Sequence, residues 1–141
     1  MQPVKATDVR KNWSSICDDV ARNRPVFVKR TRDEMVITSA EDMKNILESL
    51  KYHADIYKEE DGTFTAALRE LDLVENGPDK ESACSALSES ILEYAEEYYA
   101  EFQLYRNAPN RRSHLPYVMK AIILGDPASI KEELVCRNGK I

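Results

Sequence analysis

Val4-Lys5-Ala6-Thr7-Asp8-Val9-Arg10-Lys11-Asn12-Trp13, followed by Pro25-Val26-Phe27-Val28-Lys29-Arg30 and Met35-Val36-Ile37-Thr38-Ser39, sets a helical pattern between β-rich runs. Val4 to Ala6 is a short extended run. Thr7 is placed to cap a helix beginning at Asp8 by accepting a backbone N–H of the first turn. Val9, Trp13, Ile16, Cys17 and Val20 recur at helical spacing and form one apolar stripe. Pro25 ends that helix, because it lacks an N–H and disfavours helix in Arg24. Val26-Phe27-Val28 and Met35-Val36-Ile37-Thr38 are β-rich runs joined through Thr31-Arg32-Asp33, which predicts a hairpin. Ser39 followed by Asp42 resembles a capping box, and Met43, Ile46, Leu47 and Leu50 predict a second amphipathic helix.

Charge divides the chain. Residues 1–32 carry eight Lys or Arg against three Asp, a net of +5, whereas the remaining 109 carry 12 basic against 22 acidic residues, a net of −10. A basic module joined to an acidic one suggests one surface for a polyanion and another for something basic. A hydrophobic share of 43% supplies a packed core, and no run approaches the roughly 18 apolar residues of a membrane span. The N-terminus lacks a basic region followed by an apolar one, so the protein is expected in the cytosol, with no membrane partner. Cys17, Cys84 and Cys136 are widely spaced and odd in number, which argues against a disulfide framework or a zinc site. They are read as idle or buried thiols, with Cys17 in the core, and no cofactor or metal is called for.

Beyond Leu50, Tyr52 to Tyr57 and Phe64 to Leu68 flank Asp61-Gly62, a strong hairpin signal. Glu75-Asn76-Gly77-Pro78 reads as a turn, with Pro78 and Asp79 opening a long helix over about 79–106. Ala83, Leu87, Ile91, Tyr94, Tyr98, Phe102 and Tyr105 line one face of it, flanked by Glu89, Glu93, Glu96, Glu97 and Glu101. Ala108-Pro109-Asn110 breaks the helix, and Gly125-Asp126-Pro127 starts a last short helix through about Val135. The fold class is α+β. A small three-stranded sheet with two helices occupies residues 1–51, and a β-hairpin, the long acidic helix and C-terminal helices make a second αβ domain over 52–141.

Ala6-Thr7-Asp8-Val9-Arg10-Lys11-Asn12-Trp13-Ser14, the strand ending in Lys29-Arg30, and Ser39 with Asp42 together resemble the N-terminal domain of Phd/YefM-type antitoxins over residues 3–50. Two departures are Arg32-Asp33 where that family commonly has a hairpin Gly, and Trp13 where Leu is usual; Trp13 is expected only to enlarge the core. Residues 52–97 more faintly resemble HicB-type antitoxins. The first resemblance implies a homodimer that binds operator DNA and represses its own operon, with a C-terminal part that neutralises a cognate toxin. It marks Arg10 and Arg30 for DNA contact, and the surrounding Lys5, Lys11 and Arg32 extend that basic face.

Arg10 and Lys11 are read as lying near a helix N-terminus, where N–H groups also favour phosphate. Toxins partnered with such antitoxins are often basic RNA-cutting proteins. Glu97 and Glu101 with Tyr98, Phe102 and Tyr105 would then meet a cationic surface by charge complementarity and aromatic anchoring. Residues beyond Asn107 are the alternative cover for those rings. Catalysis is disfavoured: Glu59, Glu60 and Asp61 share one turn, His53 and His114 stand alone, and no Gly-rich phosphate loop is present. A dimeric interaction module, or a solitary regulator without a toxin, remains the competing class.

Overall fold

A computed structural model of the chain describes residues 1–139 and divides into two compact units, Met1–Ile46 and Leu47–Ile141. In the first, β1 (Val4–Lys5), β2 (Val26–Arg30) and β3 (Asp33–Ile37) form a sheet in that order, β1 parallel and β3 antiparallel to β2. Helices α1 (Ala6–Lys11), α2 (Trp13–Arg22) and α3 (Ala40–Ile46) complete it. Val9, Val20, Val26 and Val28 make a small core, with Val4, Ala6, Ile16 and Ile37 packed against it.

The expected single helix from Asp8 is two helices. It begins at Ala6 with Lys5 in the cap position, and no side chain caps it, so Thr7 does not play that part. Asn12 (φ −115°, ψ 32°) interrupts it, its side-chain amide donating to the Asp8 carbonyl at 3.0 Å. That break has a consequence for the stripe. Residues four apart share a face only in a continuous helix, and Val9 and Trp13 lie on opposite sides of the interruption. Trp13 and Cys17, themselves four apart on α2, are both exposed, so neither enters the core as expected.

The hairpin is present, with Arg30 opposite Asp33 and Thr31-Arg32 between them. Thr31 holds φ at +54° where a glycine would be unstrained. The Ser39 hydroxyl accepts the Asp42 N–H at 3.0 Å, starting α3 as its sequence suggests. None of the residues of α3 is buried, however, and Ile46 is exposed; Leu47 alone of that stripe is buried.

The second unit is built on a four-stranded sheet in the order β6-β5-β4-β7, from β4 (Tyr52–Lys58), β5 (Phe64–Leu68), β6 (Val74–Gly77) and β7 (Leu134–Asn138). Its helices are α4 (Lys80–Ala100), α5 (Phe102–Asn107), α6 (Leu115–Leu124) and α7 (Pro127–Glu132). The hairpin around Gly62 (φ +88°) forms as expected, closed by Asp61, which accepts the Thr63 N–H at 2.9 Å and its hydroxyl at 2.6 Å.

Two strands depart from the sequence reading. Glu75-Asn76-Gly77 is the edge strand β6 rather than a turn, held by Asn76, whose amide donates to the Thr63 and Thr65 hydroxyls at 3.0 and 3.2 Å. The last helix stops at Glu132, and Leu134–Asn138 runs parallel to β4. The long helix itself is interrupted at Glu101, so its last turns are the separate α5. Asp79 caps α4 by accepting the Ser82 N–H at 2.7 Å, and Asp126 caps α7 by accepting that of Ser129 at 2.8 Å. Leu87, Ile91, Tyr52, Val118, Ala121 and Ile130 lie at the centre of one core that joins sheet and helices.

Lys120 is 4% exposed within this unit. Its ammonium donates to the Leu50 carbonyl and lies 3.7 Å from Glu133, which also pairs with Lys51. Burial pulls the Lys120 pKa down, and the hydrogen bond from Lys51 holds the Glu133 carboxyl below its ordinary range.

Candidate functional site

Parallel pairing of β1 with β2 sets Lys5 beside Lys29, and Arg30 follows at the strand end. With Thr7 and Thr31 these side chains line an open groove of about 620 Å³. Part of its charge is already answered: Arg30 donates to Asp33 at 2.9 Å, and Lys29 stands opposite Glu34. Arg10 and Lys11 lie in the last turn of α1, not at its start, which removes the expected help from that helix's N–H groups. Among the described residues the ion pairs of this unit are Arg22–Asp18 and Arg30–Asp33, so Lys5, Arg10, Lys11 and Arg32 keep their charge unpaired. Trp13, Phe27, Met35, Val36 and Ile46 are exposed on the same unit, with Phe27 and Val36 neighbours across β2 and β3.

The acidic flank of α4 is exposed at Glu89, Glu93, Glu96 and Glu97 and continues to Glu101. The aromatic residues beside it divide by depth. Tyr98 is 0% exposed and its hydroxyl donates to the Arg111 carbonyl at 3.1 Å, so it is a core residue and not the surface anchor the sequence suggests. Phe102 and Tyr105 are half-buried around it, Tyr105 stacked at 5.1 Å between ring centroids and Phe102 edge-on at 5.8 Å. The Glu97 carboxylate beside Tyr105 pushes its phenol pKa up. Tyr99 and Leu104, which the periodic pattern omits, are the large apolar side chains that face solvent here.

Residues beyond Asn107 supply the cover for the buried rings. The Arg111 guanidinium lies 5.4 Å from the Tyr94 ring centroid and 5.8 Å from that of Tyr105. It donates to the Tyr94 hydroxyl at 3.0 Å, which leaves the Tyr94 proton for His114 Nδ1, 2.6 Å away. Burial, then the nearby Arg111 charge, lowers the His114 pKa, so the imidazole accepts that bond in its neutral form.

Of the carboxylates and histidines considered for catalysis, Glu59 and Glu60 are exposed to solvent, whereas Asp61, His53 and His114 have structural partners. Asp61 forms its turn, and Glu70 receives both the His53 N–H at 2.6 Å and His53 Nδ1 at 2.9 Å. Among the described residues no group of His, Cys, Asp and Glu is arranged to hold a metal ion, and no helix is long and apolar enough to cross a membrane.

With this arrangement in view, comparison with known proteins is decisive. A PHD-like family model, described as an antitoxin of toxin-antitoxin, RelE / RelB, TA system, matches residues 1–136. The chain belongs to this antitoxin family. The antitoxin is also similar to a crystal structure from Syntrophomonas wolfei subsp. wolfei, an antitoxin part of a proposed toxin/antitoxin system. The two share 35% identity and a TM-score of 0.93, over 99% of this chain and 100% of the other. No curated protein matches the antitoxin. Membership accounts for the α+β architecture and makes the antitoxin a regulatory protein rather than an enzyme, with a cognate toxin as its partner.

Proposed function

We propose that this antitoxin divides its work between its two units. The first, of Phd/YefM type, dimerises and binds operator DNA to repress its own operon; the second neutralises a basic, RNA-cutting toxin by direct contact. The observation that carries this reading is the separation of charge: unpaired Lys5, Arg10, Lys11 and Arg32 on one unit, and an exposed row of glutamates on the other. Phosphate attracts the first set and a cationic protein surface the second. Exposed Trp13, Phe27, Val36 and Ile46 support the dimer, since a small unit with that much uncovered apolar surface gains by burying it against a copy of itself. A two-fold dimer suits a palindromic operator.

On the toxin side, Glu97, Glu101, Phe102 and Tyr105 form the contact, with Tyr98 supporting the two rings from beneath. Tyr99 extends the same surface.

Fluorescence anisotropy with DNA from upstream of the antitoxin's own reading frame, over a range of salt concentrations, tests the DNA half. Arg10→Ala is expected to weaken binding and to reduce the slope of log K against log salt by about 0.9, one phosphate contact. Binding with an unchanged slope would remove Arg10 from the interface. Absence of salt-dependent binding by the parent protein would favour a toxin-binding module without DNA.

A further inference from the structure

Cys84 and Cys136 are 52 residues apart in sequence, yet their sulfur atoms are 3.5 Å apart. The pair joins different elements of the second unit. Cys84 is buried on α4, and Cys136 is exposed on β7, an edge strand hydrogen-bonded to a neighbour on one side only. Both open on a cavity of about 430 Å³ whose rim includes Lys80, Lys131 and Arg137. That cavity gives a small solute access to the exposed sulfur. The third thiol, Cys17, belongs to the first unit and has no such neighbour among the described residues.

We propose that Cys84 and Cys136 are a modification site: a dithiol that a peroxide converts reversibly to a disulfide, fastening β7 to α4. An exposed thiol beside a second, sheltered one is the arrangement of a redox-sensing pair. In the first step the Cys136 thiolate attacks a peroxide oxygen. The S–O bond forms, the O–O bond breaks, and the departing oxygen leaves as hydroxide or alkoxide, giving Cys136 sulfenic acid. In the second, the Cys84 sulfur attacks that sulfenic sulfur. The S–S bond forms, and the sulfenic oxygen leaves as water with the Cys84 proton. The peroxide has then accepted two electrons from the two thiols.

The environment assigns the order. Burial, then its contact with Cys136, pushes the Cys84 thiol up to about 11, so it is the poorer first nucleophile. Forming a bond of about 2.05 Å brings the sulfurs together by roughly 1.5 Å. An edge strand, held on one side only, can make that movement without breaking a second strand pairing.

The inference stands on the thiol pair and does not depend on toxin or DNA. It is tested on the full-length antitoxin treated with hydrogen peroxide, by intact mass and by peptide mapping after alkylation. The expected product has lost two hydrogen atoms, links the Cys84 and Cys136 peptides, leaves Cys17 free to alkylate, and reverts with dithiothreitol. Its thermal midpoint is expected to rise by about 10 °C, because the bridge closes a long loop in the unfolded chain. In Cys84→Ser, Cys136 is expected to accumulate as a sulfenic acid that dimedone traps. Oxygen addition at Cys136 without linkage in the parent protein would overturn the proposal, as would bridges made mainly through Cys17.

Discussion

Replacing Gly77 by alanine would set a Cβ atom 2.6 Å from the Ala83 backbone nitrogen and 2.9 Å from the Ser82 carbonyl carbon. Both are backbone atoms in the first turns of α4, so no side-chain rotation relieves the clash. Restoring ordinary contact, near 3.5 Å, requires β6 and the start of α4 to part by roughly 0.9 Å. The bond from the Ser82 N–H to the Asp79 carboxylate, 2.7 Å long, lies in the same turn and stretches with that movement. Overpacking of this kind costs about 1–3 kcal/mol, and loss of the cap about 1 kcal/mol. Together they give about 2–4 kcal/mol. For a unit of this size the thermal midpoint should fall by about 10–25 °C. Circular dichroism melts and urea titrations of G77A measure both quantities.

Gly62→Ala is the informative control. Nothing lies within 4 Å of its Cβ, and its φ of +88° leaves only the backbone cost of about 1–2 kcal/mol. A G77A midpoint within a few degrees of the parent would refute the close approach of Gly77 to the first turns of α4.

Other consequences follow from buried charge and local backbone. Glu133→Gln leaves Lys120 buried without its carboxylate and is expected to cost about 2 kcal/mol in urea unfolding, after allowance for the partly exposed Lys51 side of the cluster. The parent should lose this contribution in acid. Because the folded Glu133 pKa lies below its unfolded value, the stabilisation is present above the ordinary glutamate range and disappears as pH falls through the folded value. Urea midpoints of the parent and E133Q should therefore converge as pH falls below the ordinary glutamate range; a constant difference down to the most acid point would contradict the assignment. Thr31→Gly removes the strain of a β-branched residue at φ +54° and should stabilise the first unit by about 0.5–1 kcal/mol, net of the extra freedom glycine has when unfolded. Its chemical denaturation midpoint is the readout, and a decrease would count against the turn geometry.

What the sequence made legible was local. Ser39 with Asp42, Pro78-Asp79, Asp61-Gly62 and Gly125-Asp126-Pro127 each specify a cap or turn within a few residues, and each is found where it was read. The misreadings lie where distant partners decide. Glu75-Asn76-Gly77 has the composition of a turn, but Thr63 and Thr65 across the sheet make it a strand. Leu134–Asn138 follows α7 with a single residue and no turn signal between them, and its pairing to β4 needs a crossover through four helices. Asn12 carries no breaker signal comparable to proline, yet its interruption turns Trp13 and Cys17 outward.

The same holds for the candidate site. The basic cluster and the glutamate row were visible as charge, because solvated charges need no partner to be read. The burial of Tyr98 depends on how residues beyond Asn107 fold back, as do the bonds among Tyr94, Arg111 and His114. The nearness of Cys84 to Cys136 could not be read from spacing at all.

If the acidic face of α4 and α5 receives the toxin, isothermal titration of the full-length antitoxin with the protein encoded beside it will register that contact. A stoichiometric complex of submicromolar affinity is predicted, weakened by salt and at least about tenfold by reversing Glu97 and Glu101 to lysine, while the same reversal at Glu59 and Glu60 leaves it intact. Absence of binding, or a complex indifferent to charge reversal at Glu97 and Glu101, would contradict it.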